Sequence, residues 1–281
     1  MKKTVLTLCI SFLLILCGCQ NNTKADKLAV GVSIPPQKEF VQAVCGDTAD
    51  VFIMIPAGAS AENYEPTPKE IAALSDSDIY FSIGVPAEEN GILPHIPNSV
   101  KTCDLTRPVA DHYPDIKIGD ERDPHIWLSP KRAVIMVEEI AEQMSKIDPD
   151  NESFYRTNAD TYIKKLNDTE NQIETILESK DVKTFYIAHP SYGYFAADFG
   201  LNMVELEKNG HEATAKDLTE IINSAKADVT KVIFTQEEVS KSLAELVAKE
   251  IGGSVDVLSP LSENYSDNLL ETARKIARSK D

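Results

Sequence analysis

Positive charge is scarce in this chain of 281 residues: 28 lysines and arginines face 45 aspartates and glutamates, for a formal net charge of −17. A field of that sign argues against nucleic acid as a partner. The acidic residues are scattered, so they read as a solvated surface whose pull on cations is weak and screened by salt. Beyond the N-terminal segment no stretch is long and apolar enough to cross a bilayer, which takes about 20 residues. There is no H-E-x-x-H helix and no nucleophile elbow, and no general base stands out. Catalysis is therefore not expected. Low-complexity tracts and close repeats are missing as well.

Cysteine is also sparse, at five, and three of the five lie within the first 19 residues. Lys2 and Lys3 precede an apolar run over residues 5–16, too short for a comfortable span and read as a secretory signal peptide. The run ends in Leu16-Cys17-Gly18-Cys19, which resembles the lipobox of bacterial lipoproteins. That resemblance implies cleavage after residue 18 and a lipid on Cys19, followed by a polar tether over residues 19–27. Losing Lys2 and Lys3 takes the net charge from −17 to −19. Cys45 and Cys103 are then left in a compartment that permits disulfides. They are either bridged or free and buried, and cysteine arithmetic does not choose between these.

Hydrophobic periodicity supplies the fold class. Short β-prone runs at 28–34, 51–55, 79–83 and 100–105 alternate with helical patterns, one starting near Lys38 and one at Thr67-Pro68. A helix opens at Ser129-Pro130 and runs to about residue 146, with Ala133, Val137, Ile140, Ala141 and Met144 on one stripe. A longer pattern follows over 151–179, with Tyr155, Ala159, Tyr162, Leu166, Ile173 and Leu177 spaced by threes and fours. Uninterrupted by proline or glycine, it predicts a helix roughly 40 Å long. Strand patterns resume at 184–188, 203–206, 231–235 and 255–258, with helices predicted over 215–226 and 240–251. The reading is α/β: two parallel-sheet lobes, residues 28–148 and 181–281, joined by one long rigid helix within 149–180, with the cleft between them.

Five histidines are present, His95, His112, His125, His189 and His211. His189 directly follows an apolar run and is placed at the carboxyl end of a parallel strand, where open α/β sheets bind ligands. His125 stands just ahead of a helix. Glu62 follows a strand and its Pro56-Ala57-Gly58 turn. All three therefore fall on the rim that a two-lobed protein turns towards its cleft. Neutral imidazoles with a carboxylate suit zinc, and manganese or iron at lower affinity.

These same residues carry a family resemblance. Residues 56–68, PAGASAENYEPTP, resemble the P-x-G-x-S-P-H-x-Y-E-P-T-P signature of the metal-binding solute-binding lipoproteins of zinc and manganese ABC transporters. Residues 123–130, DPHIWLSP, match that family's D-P-H-x-W-L-x-P, and His189 with Tyr194-Phe195 and Gly200-Leu201 matches its H-x-x-x-x-Y-F and G-L element. The resemblance covers nearly the whole chain after the leader. It implies a metal held between two α/β lobes by Glu62, His125, His189 and a fourth position at Ser259. Three departures accompany it: Glu62 stands where the family has histidine, Ser259 where it has an aspartate, and Gln236 where it has a glutamate. A histidine-rich loop ahead of His125 is also absent. Water, Ser259, Glu263 or His211 is expected to complete the ligand sphere.

The function expected from these features is that of an extracytoplasmic binding protein, in the periplasm or at the cell surface. It captures a divalent transition metal, zinc ahead of manganese or iron, and hands it to an ABC permease. The chain is expected to be a monomer held to the membrane through Cys19, with no nucleic-acid partner. Two other classes are set beside this: a zinc hydrolase, and an anchored surface interaction protein that has lost transport.

Overall fold

The structure is a computed structural model and describes residues 27–180, 182–208 and 211–281. The leader, Cys19 and most of the tether lie outside the described residues.

In the first lobe, β1 (Leu28–Val32), β2 (Ala49–Ile53), β3 (Ile79–Ser82) and β4 (Lys101–Asp104) form one parallel sheet in the order β2-β1-β3-β4. The crossovers carry α1 (Pro35–Cys45), α2 (Pro68–Ser75) and short helical turns over 88–95, α3 (Thr106–Ala110) follows β4, and a small hairpin comes next, β5 (Lys117–Ile118) with β6 (Glu121–Arg122). Two long helices come next, α4 (Pro130–Ile147) and α5 (Glu152–Glu178). The second lobe holds β7 (Thr184–Ile187), α6 (Gly193–Asp198), β8 (Asn202–Glu205), the hairpin β9 (Glu207–Lys208) and β10 (His211–Glu212), α7 (Ala215–Ala227), β11 (Val232–Thr235), α8 (Ser242–Ile251), β12 (Ser254–Val257) and α9 (Tyr265–Ala277). Its sheet is also parallel, in the order β12-β11-β7-β8. Numbered within its own lobe, each sheet therefore reads 2-1-3-4. The same topology is built twice, with no repeat visible in the sequence.

Such an order reverses direction once in each sheet, between β1 and β3 and between β7 and β11. Loops leaving the carboxyl ends of neighbouring strands diverge there and leave a crevice. Glu62 and His189 lie past the carboxyl ends of β2 and β7.

The expected stripes on the two long helices are the observed buried faces. Ala133, Val137, Ile140, Ala141 and Met144 are buried on α4, and Tyr155, Ala159, Tyr162, Leu166, Ile173 and Leu177 on α5. Thr169 joins the second stripe and satisfies its hydroxyl on the Lys165 carbonyl 2.8 Å away. Ser129 caps α4 by accepting from the Arg132 amide, and Thr67 caps α2 in a reciprocal box with Glu70. One hydrophobic core runs from Val30 on β1 to Ala277 on α9, through both lobes and both long helices. A smaller core lies between the second sheet and α7 and α8.

Three local expectations need correction. α1 starts at Pro35 rather than near Lys38. The Pro35-Pro36 pair that ends the strand also opens the helix, because the first turn needs no amide donors. β2 starts at Ala49 instead of residue 51, since backbone pairing with Leu28 and Ala29 recruits Asp50 whatever its side chain. A C-terminal helix, α9, is present that the strand-and-helix reading did not contain. Cys45 and Cys103 are both free and buried. Burial pushes each thiol up to about 12, so neither is a reactive thiolate at neutral pH.

Candidate functional site

Glu62, His125 and His189 meet in one small cavity between the lobes, walled by Trp127, Pro260 and Leu261. The sequence gives each residue its place by a different route. Glu62 sits in the turns that follow β2, where Ser60 Oγ accepts from its amide. His125 begins the single helical turn 126–128 ahead of α4. His189 is two residues past β7, where the chain turns through Pro190.

Both imidazoles are held by carboxylates at Nδ1. Asp123 Oδ1 accepts from the His125 backbone amide at 2.9 Å and from its Nδ1 at 2.8 Å. Glu207 Oε2 lies 2.9 Å from His189 Nδ1. Ionised carboxylates only accept, so each Nδ1 carries the proton and each Nε2 is the atom left for the cavity. This is the arrangement of imidazoles prepared to ligate a metal through Nε2. The two rings stand edge to face with centroids 5.4 Å apart, and Trp127 packs 5.3 Å from the His125 ring.

Close fit maintains this placement. A Cβ on Gly193 would stand 2.5 Å from Asp123 Oδ2, so only glycine lets the start of α6 approach the carboxylate that orients His125. Gln236 Nε2 donates to the His189 carbonyl at 2.8 Å and to Ser191 Oγ at 2.6 Å. It thereby pins the 189–191 turn to the end of β11. Trp127 Nε1 donates to the Pro260 carbonyl at 2.8 Å, and the Tyr265 hydroxyl donates to the Trp127 carbonyl at 2.7 Å. The cavity wall is thus tied across the lobes.

Glu62 Oε1 lies 3.2 Å from His189 Nε2. Burial opposes charge on His189, but its bonds to Glu207 and Glu62 outweigh burial and raise its pKa to about 9. The hydrogen bond from His189 in turn lowers that of Glu62, against the opposing effect of burial. At neutral pH a protonated His189 therefore supplies the positive charge inside the cavity. Among the described residues no three His, Cys, Asp or Glu side chains already surround a common ion position. Glu62 and His189 hold each other instead.

Other sequence candidates whose side chains are described lie elsewhere. Ser259 is absent from the cavity lining, and its carbonyl accepts from Asn268 Nδ2 at 2.7 Å. Glu263 pairs with Lys38, 3.3 Å away, at a different surface. The backbone of His211 lies on β10, opposite Lys208. His95 and His112 cap local turns through the carbonyls of Gly91 and Pro108. The sequence reading did not single out Asp123 and Glu207 as partners of the imidazoles. Position alone could have found them: Asp123 is two residues from His125, and Glu207 follows a strand run at its carboxyl end. Glu238 was missed as well. It lines the cavity, and burial raises its carboxyl pKa while the two imidazoles oppose that rise.

The cavity measures about 40 Å³. Pockets that hold small organic ligands run from roughly 300 Å³ upward, whereas a water takes about 30 Å³ of liquid. A space of this size accommodates an ion with a water.

Comparison with known proteins finds similarity to zinc-uptake proteins. The family described as zinc-uptake complex component A, periplasmic, matches residues 30–279. The high-affinity zinc uptake system protein ZnuA of Bacillus subtilis (strain 168) is 32% identical over 256 residues, covering 85% of this chain and 80% of that protein. The zinc-binding lipoprotein AdcA of Streptococcus pneumoniae (strain ATCC BAA-255 / R6) is 32% identical, covering 93% of this chain; the chain spans only 56% of AdcA. A crystal structure of ZnuA superposes with a TM-score of 0.85 at 31% identity, covering 91% of this chain and all of that one.

Proposed function

The chain belongs to the family of periplasmic zinc-uptake component A proteins, and from that premise we propose that it captures zinc outside the cytoplasm and delivers it to an ABC permease. Zinc is cargo here, held between the lobes by Glu62, His125 and His189. The supporting observation is the convergence of those three groups, with both imidazoles locked at Nδ1 so that Nε2 faces the cavity.

Loading follows from the exposure of these groups and from the Glu62–His189 pair. Glu62 is 48% exposed, whereas the His189 and His125 side chains are 13% and 7% exposed. Glu62 therefore meets an incoming cation first. The cation replaces the His189 proton as the positive charge of the cavity, and Nε2 is freed to ligate. Imidazole with carboxylate favours zinc, and the harder oxygen of Glu62 also admits manganese.

The role proposed is capture and release of the ion, in keeping with the family's substrate-binding transport proteins. Residues 1–18 serve as the signal peptide and Cys19 as the lipid attachment point, with residues 19–27 as the tether. The lobes at 28–148 and 181–281 flank a linking helix within 149–180, and the protein works as a monomer. Isothermal titration of the metal-stripped protein tests the assignment. One zinc per chain, bound more tightly than manganese, is expected. Failure to bind either metal at micromolar concentration would instead mark an anchored protein that has left metal transport.

A further inference from the structure

We propose that Glu238 is the fourth ligand of the cargo ion, supplied from the loop after β11 rather than from the Ser259 position. The inference rests on the zinc-capture reading and deepens it by naming a ligand that the sequence motifs did not indicate.

Three observations carry it. Glu238 lines the same cavity as Glu62, His125 and His189, and it lies within electrostatic reach of both imidazoles. Its Oε2 is buried with no hydrogen-bond partner. A buried carboxylate oxygen without a partner is costly, and such an oxygen beside two imidazoles is matched by a cation placed between them. Ser259, the position expected for a fourth ligand, does not line the cavity, and Pro260 and Leu261 form that stretch of wall.

Charge and topology agree. Two neutral imidazoles and two carboxylates cancel a divalent charge, whereas Glu62 alone leaves one positive charge uncompensated. Four ligands of nitrogen and oxygen also complete the tetrahedron that zinc prefers. Glu62 comes from the first lobe and Glu238 from the second, so the ion is clasped by one carboxylate from each side. Gln236, two residues earlier on the same loop, fixes the His189 backbone. Movement of this loop therefore shifts one ligand and the support of another together.

The test compares the full chain with Glu238→Gln, which keeps shape and removes charge, and with Glu237→Gln at the exposed neighbour. Zinc affinity is read by chelator competition, and the zinc shell by X-ray absorption. The expected result is a loss on the order of 10- to 100-fold for Glu238→Gln. One oxygen at about 2.0–2.2 Å should leave the shell, and Glu237→Gln should match the wild type. Wild-type affinity in Glu238→Gln, or weaker binding with an unchanged shell, would overturn the ligand assignment. The capture reading would survive either of those results if His125→Ala with His189→Ala still abolished binding. A wild-type chain that binds no zinc would overturn both.

Discussion

Asp123 and Glu207 touch the imidazoles rather than the cavity, yet they decide which nitrogen each ring presents. Removing such a partner usually costs 10- to 100-fold in metal affinity. Asp123→Ala and Glu207→Ala should each weaken zinc binding by about that factor, measured by chelator competition, while one zinc per chain is retained. A buried acid outside the site gives a second expectation at this scale. Glu88 accepts from the Ile83 and Gly84 amides at 2.8 and 2.6 Å and from the Ser33 hydroxyl. Burial nevertheless raises its pKa from 4.5 to about 7, against those hydrogen bonds. The folded protein thus keeps a proton that the unfolded chain releases. The associated stability is fully present below about pH 4.5 and is lost as pH rises towards 7. Glu88→Gln should flatten that part of the stability profile, followed by thermal unfolding across pH.

Elements differ in how plainly the sequence announces them. The α4 and α5 stripes were legible because one face is apolar at helical spacing and the opposite face is charged. Leu166, fully buried in the middle of the α5 stripe, should cost about 2–5 kcal/mol on mutation to alanine, read by urea denaturation. α9 escaped because its start carries neither proline nor a working side-chain cap, although Tyr265, Leu269, Leu270, Ala273, Ile276 and Ala277 form a buried stripe opposite Asp267, Glu271 and Arg274. In the site, His125, His189 and Glu62 could be placed because each is tied to a strand end or helix start. Glu238 could not, since its role depends on which strand stands beside β7. That neighbour is β11, an adjacency set by the sheet order.

Across the whole molecule the lobes are bound by more than the linking helix. Arg132, at the start of α4, donates to Asp198 at the end of α6 at 2.8 Å, and it stacks against Tyr113 and Tyr194. Lys131 reaches the same carboxylate at 2.7 Å, and Ser129 Oγ also donates to it. The Arg132 and Asp198 side chains are only 5% and 2% exposed. Asp198→Ala would therefore strand a buried guanidinium. Breaking such a pair costs about 3–5 kcal/mol, a loss that urea denaturation would detect. The shared core and this clamp favour small adjustments at the cleft over wide hinge opening, so loading must work through side chains and short loops.

The account depends most directly on the two imidazoles acting together on one ion. Trp127 is the only tryptophan in the chain and packs against His125, so its fluorescence reports on the site. Zinc titration of the metal-stripped wild type should give a saturable fluorescence change at one equivalent, and His125→Ala with His189→Ala should abolish it at micromolar zinc. An unchanged titration in the double variant would contradict the site.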